Sequence, residues 1–403
     1  MIEIFAILLL ALAMAALLGP YMLRVFSAAS APADRLFLPL EKLIYRIAGI
    51  HSQCGMSWRG YALAFVLSNF MLGLLTFLVL LNQQHLPLNP DGAGPLSWDL
   101  ALHTMVSFLT NTNQQHYSGQ AQLSYGSQLF ALVTLQVLTP MMGLAVLIAV
   151  LRGLKGGLNA EAAEGETRNL GNFYVDTVRG TLRILLPLWL VLSLALSAGG
   201  VPSNLDGAVT ATTIDGSEQV IPSGPMAPMV AVKQLGTNGG GWYGPNSAAP
   251  LENPTAVTNS LQIIAILLIP MACVFMVGPF LGRPKFTWFS LSTIGLISLL
   301  FISLAVHSEQ QANAAIEGLA AAGPNMEGKE VRFGPATSAL WATLTTQTSN
   351  GSVNAMHDSL NPLAGLVTLS GMLINAVWGG IGCGFVGFLV YVWLTAFLAG
   401  LMV

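Results

Sequence analysis

Three short stretches hold the residues best able to do chemistry: Thr110-Asn111-Thr112-Asn113, Leu235-Gly236-Thr237-Asn238-Gly239-Gly240-Gly241-Trp242 and Thr346-Gln347-Thr348-Ser349-Asn350-Gly351-Ser352. None contains an acid, a histidine or a cysteine. What they offer is oxygen, from backbone carbonyls and from the hydroxyls of Thr112, Thr237 and Thr348 or Ser349. Glycine reaches positive-φ conformations that can turn successive carbonyls one way, and Gly239, Gly240 and Gly241 are suited to that. A dehydrated alkali cation is the natural partner of such carbonyls, which can replace its hydration shell. Calcium and magnesium prefer carboxylates, so the stretches favour a large monovalent cation. The competing reading is ordinary exposed turns rich in Asn, Gly and Ser. It is strong for one loop and weak for three loops in equivalent positions.

The remaining chain must hold these loops in place. Of its 403 residues 54% are hydrophobic and 8% charged, with mean hydropathy +0.66. Soluble domains carry about a quarter charged residues, so the expected class is an all-α polytopic membrane protein. Apolar runs near the 20 or so residues a bilayer requires occupy about 4–23, 60–82, 126–150, 180–198, 257–281 and 287–306. The first lacks a basic leader and reads as a retained helix, not a signal peptide. The last apolar region, 362–403, is too long for one span and is interrupted by Gly379, Gly380, Gly382, Gly384 and Gly387. That cluster reads either as close packing through small residues or as an unwound gating element below the third loop.

Sidedness follows from the basic residues. Arg24, Arg35, Lys42, Arg46 and Arg59 fall in one loop, Arg152, Lys155, Arg168, Arg179 and Arg183 in another, and Arg283 with Lys285 in a third. These are twelve of the 15 basic residues, and they occupy alternate connections. The positive-inside rule places them in the cytoplasm. The N-terminus and all three Thr/Asn/Gly loops are then extracytoplasmic.

Segments Trp98–Leu109, Met226–Leu235 and Pro335–Thr346 precede the three loops. Each is too short to cross a bilayer but long enough for a re-entrant half-helix. The unit of span, half-helix, loop and span therefore occurs three times, the mark of transporters built from internal repeats. The expected layout is an N-terminal helix over 1–26, a cytoplasmic loop 27–59, a first pore repeat 60–151, a cytoplasmic loop 152–179, a second repeat 180–281, a cytoplasmic turn 282–286, and a third repeat 287–403 ending in a broken helix.

Other features set limits. Cys54, Cys273 and Cys383 have no metal-ligand spacing or disulfide framework. His103, His116 and His357 lie in the outer regions without a paired ligand motif, and structural roles are expected. Met356-His357-Asp358 reads as a hydrogen-bonded clamp behind the third loop. Glu252, before Asn253-Pro254, is expected behind the second loop as a cap for the helix that follows. No phosphate-binding GxxxxGK[ST] run or Asp-Lys-Thr-Gly run occurs, so ATP hydrolysis would need another chain. Nothing basic or aromatic is patterned for nucleic acid, and a membrane-embedded enzyme would want convergent acids or histidines that the spans do not offer.

Several motifs resemble one family closely. Leu88-Asn89-Pro90, Leu96-Ser97-Trp98-Asp99-Leu100-Ala101, Thr110–Asn113 and Tyr117-Ser118-Gly119 look like the first pore repeat of the KdpA family. Leu235–Gly241 with Glu252-Asn253-Pro254-Thr255 resembles the second repeat. Asn325-Met326-Glu327-Gly328-Lys329-Glu330, Arg332-Phe333-Gly334 and Ala355-Met356-His357-Asp358-Ser359 resemble the third. The resemblance implies channel-like membrane–pore–membrane repeats of the Trk/Ktr/HKT type, with three repeats and an extra N-terminal helix in this chain. It implies a potassium-binding subunit of a bacterial inner-membrane potassium pump, working with the P-type ATPase subunit KdpB and with KdpC and KdpF. The potassium filter would comprise Asn111, Thr112, Asn113, Thr237, Asn238, Gly239, Ser349, Asn350 and Gly351, supported by Gln115, Gly240, Gly241, Glu252, His357 and Asp358. The ion route would pass Gly379, Gly380, Gly382 and Gly384. Two departures accompany the resemblance. The family's fourth repeat is not in this chain, as expected of a truncation or split gene, and Asn375 stands where the family usually has Glu. A passive Trk/Ktr-type potassium channel subunit is the alternative.

Overall fold

The computed structural model describes residues 2–27, 30–158, 169–313, 316 and 323–402. Met1, Arg168 and Val403 of the sequence reading lie outside them. The architecture is helical, with α1 Ile2–Ser27, α2 Asp34–Ile47, α3 Trp58–Leu81, α4 Trp98–Leu109, α5 Tyr125–Gly156 and α6 Phe173–Ala198 in the first half. The second half holds α7 Met226–Leu235, α8 Ala256–Phe280, α9 Pro284–Glu309, α10 Gly334–Gln347, α11 Pro362–Ile374 and α12 Cys383–Met402. Among the described residues seven helices, α1, α3, α5, α6, α8, α9 and α12, are long and apolar enough to cross a membrane. The protein is a polytopic membrane protein.

Helix α8 is the axis of the packing. It is buried along most of its length, and α1 lies against it. The reason is written in α1, where Ala11, Ala15 and Gly19 recur every four residues and are buried. A Cβ on Gly19 would lie 2.5 Å from Cβ of Phe275, so only glycine permits the contact. Small residues on one stripe let backbones approach where lipid supplies no hydrophobic drive. The N-cap of α8 is Thr255, in a capping box with Thr258. Glu252 therefore does not cap α8, contrary to expectation, because its carboxylate is engaged elsewhere.

The half-helices occur where the sequence places them. α4 and α7 have the expected bounds, and α10 extends one residue beyond each expected end. Each follows a span and precedes a Thr/Asn/Gly loop, giving the order α3–α4–loop–α5, α6–α7–loop–α8 and α9–α10–loop–α11. Three elements differ from the sequence reading. The polar stretch 27–59 contains helix α2, and α6 begins at Phe173, seven residues before the apolar run. An antiparallel hairpin, β1 Val209–Thr212 with β2 Glu218–Ile221, stands in the long connection between α6 and α7.

Candidate functional site

The three loops begin at the C-terminal ends of α4, α7 and α10, with C-cap residues Thr110, Gly236 and Thr348. The negative end of a helix dipole favours cations, so all three half-helices present that end to the loops they precede. Immediately beyond, each loop takes the same unusual backbone. Asn111 (φ 61°) and Asn113 (52°), Thr237 (50°) and Gly239 (88°), Ser349 (54°) and Gly351 (82°) occupy the left-handed region, always two residues apart. A β-branched residue such as Thr237 in that region is a genuine outlier, and such strain costs about 1–3 kcal/mol per residue unless its surroundings enforce it.

The enforcement is a shared set of hydrogen bonds. The amide of Thr112 donates to the carbonyl of Ser107 at 2.9 Å, Asn238 to Lys233 at 3.0 Å, and Asn350 to Thr345 at 2.9 Å. In each case the donor lies five residues after its acceptor, so the amides turn back onto the half-helix. Among the described residues, the carbonyls of Asn111, Thr112, Asn113, Asn238, Ser349 and Asn350 accept no hydrogen bond. Asn113, Asn238 and Asn350 are buried. Buried carbonyls without a donor are rare because each one costs desolvation. Each loop thus holds an unpartnered carbonyl on a buried residue, and the middle carbonyls of Thr112, Asn238 and Asn350 are unpartnered in all three, a set of oxygens suited to a dehydrated cation.

The loops also hold one another. The Gln115 side chain clamps Gly241, its Nε2 donating to the carbonyl and its Oε1 accepting from the amide, both at 2.9 Å. The side-chain amides of Asn111 and Asn238 meet, and Thr139 Oγ1 donates to Asn111 Oδ1 at 2.9 Å. Between the second and third loops, Asn350 Nδ2 donates to the carbonyl of Lys233 at 3.1 Å. A Cβ on Gly239 would fall 1.9 Å from the Asn350 carbonyl oxygen.

The three glycines of the second loop have different reasons for being there. Only Gly239 has positive φ. Gly240 and Gly241, expected to share that conformation, are required by space: a Cβ would lie 2.8 Å from Phe108 Cζ in one case and 2.8 Å from Glu252 Oε1 in the other. Nor do the three carbonyls turn one way. Those of Gly239, Gly240 and Gly241 accept from Asn246, Gln136 and Gln115 respectively.

Behind the second loop lies a cluster absent from the sequence reading. Lys233 Nζ is fully buried, paired with Glu252, and donates to Asn246 Oδ1 at 2.7 Å. Asn246 Nδ2 in turn holds the Gly239 carbonyl, and Glu252 Oε1 accepts from the Tyr243 amide at 2.7 Å. Glu252 thus lies behind this loop as expected, but through an ion pair. Lys233 and Asn246 bore no sequence signal beyond one lysine in an otherwise uncharged half-helix.

The third loop is fastened differently. Lys329 pairs with Glu309 at 2.7 Å, Asn361 donates its amide to Glu309 at 2.7 Å, and the Met356 amide donates to Gly328 at 2.8 Å. The side chains of His357 and Asp358 make no hydrogen bond or ion pair among the described residues, so the expected clamp is made by the backbone around them. His357 is half-buried and Asp358 exposed. Burial, then the Lys329 ammonium, pushes the His357 imidazole down to about 4. His103 and His116 bring their rings edge-to-face at 4.3 Å. Among the described residues no group of three or more His, Cys, Asp or Glu side chains could hold a metal ion.

The glycine cluster is the unwound joint between α11 and α12. Asn375, Gly379, Gly380 and Gly382 have positive φ, and Gly384, the second residue of α12, lies so close to the joint that a Cβ there would overlap the Gly379 carbonyl. The joint packs against the second and third loops. Ile381 donates its amide to Thr237 Oγ1 at 3.2 Å, Gly379 donates to the Gln347 carbonyl at 2.9 Å, and the side chains of Ser349 and Asn375 meet. Ser298 braces it, donating to Gln347 Oε1 at 2.7 Å and accepting from Trp378 Nε1 at 3.0 Å.

Comparison with known proteins places the chain in a family. Residues 5–403 match the family described as KdpA, potassium-transporting ATPase A subunit. A potassium-transporting ATPase potassium-binding subunit from Gloeobacter violaceus is 43% identical over the whole chain, which covers 70% of that protein. The protein of the same name from Pseudomonas aeruginosa is 44% identical over 99% of the chain and 70% of its own length, and that from Pseudomonas fluorescens 45% over 96% and 67%.

Proposed function

Because the chain belongs to the KdpA family of potassium-transporting ATPase A subunits, we propose that it binds potassium from the extracytoplasmic side through its three loops, as the channel-like part of an ATP-driven uptake system. The observation that carries this reading is the set of unpartnered carbonyls at matching positions of the three loops, held by a shared left-handed backbone. Carbonyl dipoles replace the water shed by a monovalent cation, and the three half-helix C-termini add negative potential. Potassium is the cargo, and Asn111–Asn113, Thr237–Gly239 and Ser349–Gly351 are the residues assigned to it. The repeats are of the Trk/Ktr/HKT type. The unwound joint at Gly379–Gly382 lies against the second and third loops and would gate the onward route.

The chain carries no run able to take up a phosphoryl group from ATP, so the energy is assigned to a P-type ATPase subunit, KdpB, with KdpC and KdpF completing a bacterial inner-membrane complex. The N-terminus and the loops face outward in this arrangement.

Gly239→Asp tests the reading in the assembled complex. Its Cβ would meet the Asn350 carbonyl oxygen, displacing the second loop against the third. Potassium-stimulated ATP hydrolysis should then need at least tenfold more potassium for half-activation. An unchanged activation curve would refute the assignment of the second loop.

A further inference from the structure

We infer that α2 is a lipid-docking helix that lies against an anionic phospholipid leaflet. At 100° per residue, Leu36, Leu40, Leu43 and Ile47 share one stripe of α2, and they are 63%, 44%, 52% and 78% exposed. The opposite face is polar and turned into the protein. Glu41 is buried and paired with Arg183 and Arg179, and Asp34 is paired with Arg183 at 2.6 Å. Tyr45 is also buried on that face. Arg35, Lys42 and Arg46 are exposed on one flank of the apolar stripe.

The depth of α2 follows from its contacts. The Tyr21 hydroxyl donates to the carbonyl of Arg183 at 2.9 Å. Tyr21 is six residues before the end of α1 at Ser27, a rise of about 9 Å. The residue that grips α2 is therefore level with the last turns of a spanning helix. Exposed Trp58 and Trp288, near the starts of α3 and α9 on the side of the basic loops, mark the headgroup level as aromatic residues do at membrane interfaces.

The charge pattern selects the occupant. Both acids of α2 that face the protein are matched by its own arginines, leaving the outward flank basic. An apolar stripe with a basic flank is the signature of helices lying in an anionic interface, and each basic residue near such a surface favours binding about fivefold. The inference is independent of how the loops select an ion.

The test attaches an environment-sensitive fluorophore at Leu40→Cys, in a background with Cys54 and Cys383 replaced by serine, and reconstitutes the assembled complex. The vesicles are phosphatidylcholine with or without phosphatidylglycerol, carrying a quencher at acyl carbon 5. Quenching of at least half is expected, with phosphatidylglycerol preferred several-fold over phosphatidylcholine. The triple variant Arg35→Gln/Lys42→Gln/Arg46→Gln should bring that preference down to near parity. Absence of quenching, from solvent exposure or a covering protein, overturns the proposal, and so does equal quenching by both lipids. Leu36→Cys is the second labelling position should Leu40→Cys not fold.

Discussion

The buried pair behind the second loop supports the most discriminating prediction. Lys233 and Glu252 have fully buried side chains, so each charge depends on the other. Removing one partner of a buried pair leaves an uncompensated charge and costs about 3–5 kcal/mol. Lys233→Met keeps the length of the side chain but strips Glu252 of its cation and Asn246 Oδ1 of a donor. Glu252→Gln keeps an acceptor for the Tyr243 amide but leaves the ammonium without its counter-charge. Each single variant should therefore lose about 3 kcal/mol or more in denaturant unfolding of the detergent-purified chain. The double variant removes both charges at once and should recover about 1–3 kcal/mol of the summed loss, the usual coupling between contacting groups. Potassium response separates support of the fold from support of the site. Asn246 carries the Gly239 carbonyl, so both Lys233→Met and the double variant should need more potassium to activate ATP hydrolysis in the complex, even where stability returns. Additive losses in the double variant, or single losses below about 1 kcal/mol, would refute the electrostatic account. Normal potassium activation in both Lys233→Met and the double variant would refute the relay through Asn246.

Two further outcomes follow from the same geometry. Thr237→Val keeps the side-chain shape but orphans the buried Ile381 amide, a loss of about 1–3 kcal/mol. Hydrogen exchange at residues 379–382 should accelerate at least fivefold, and unchanged exchange would show that the hydroxyl does not hold the joint. For His357 the folded value lies near 4, below the unfolded 6.5. Below 6.5 the unfolded chain binds a proton that the folded chain refuses, so this contribution is complete above about 6.5 and is lost as pH falls toward 4. His357→Asn should flatten the stability profile across that window, and an unchanged slope between pH 6.5 and 4 would contradict it.

Much of the fold was legible because the bilayer imposes lengths. Spans announce themselves by hydropathy, and α4 and α7 by being too short to cross. Helix α2 escaped because its apolar residues form a stripe and not a run. Its charges, Asp34, Arg35, Glu41, Lys42 and Arg46, lower the average over any window. The periodicity at Leu36, Leu40, Leu43 and Ile47 was the available signal. The start of α6 differs from the expected one for a related reason, since Asp176 and Arg179 in its first turns are matched by Arg152 and by Glu41. A charge read as a loop signal can be a helix residue whose partner is supplied by the fold.

The three loops were legible as stretches that each follow a short helix, and their common backbone was not. The triplets at 237–239 and 349–351 both read hydroxyl-Asn-Gly whereas 111–113 reads Asn-Thr-Asn, yet all three occupy matching backbone positions. What is repeated is a conformation: an amide turned back five residues onto the half-helix, two left-handed residues flanking one ordinary residue, and carbonyls left over. That conformation can be held in different ways. The first loop uses Gln115 and Thr139, the second a buried ion pair acting through Asn246, and the third Thr345 and Trp341 on the Ser352 carbonyl. Because the constraint falls on backbone direction, side chains behind each loop are free to diverge as long as each still supplies donors. Asn reaches the left-handed region tolerably, Gly freely and Thr only under restraint, and both hydroxyl residues among the six, Thr237 and Ser349, are tied through that hydroxyl to the joint beside them. The first loop, least like the other two in sequence, therefore still shares their backbone, as expected where the constraint falls on main-chain direction.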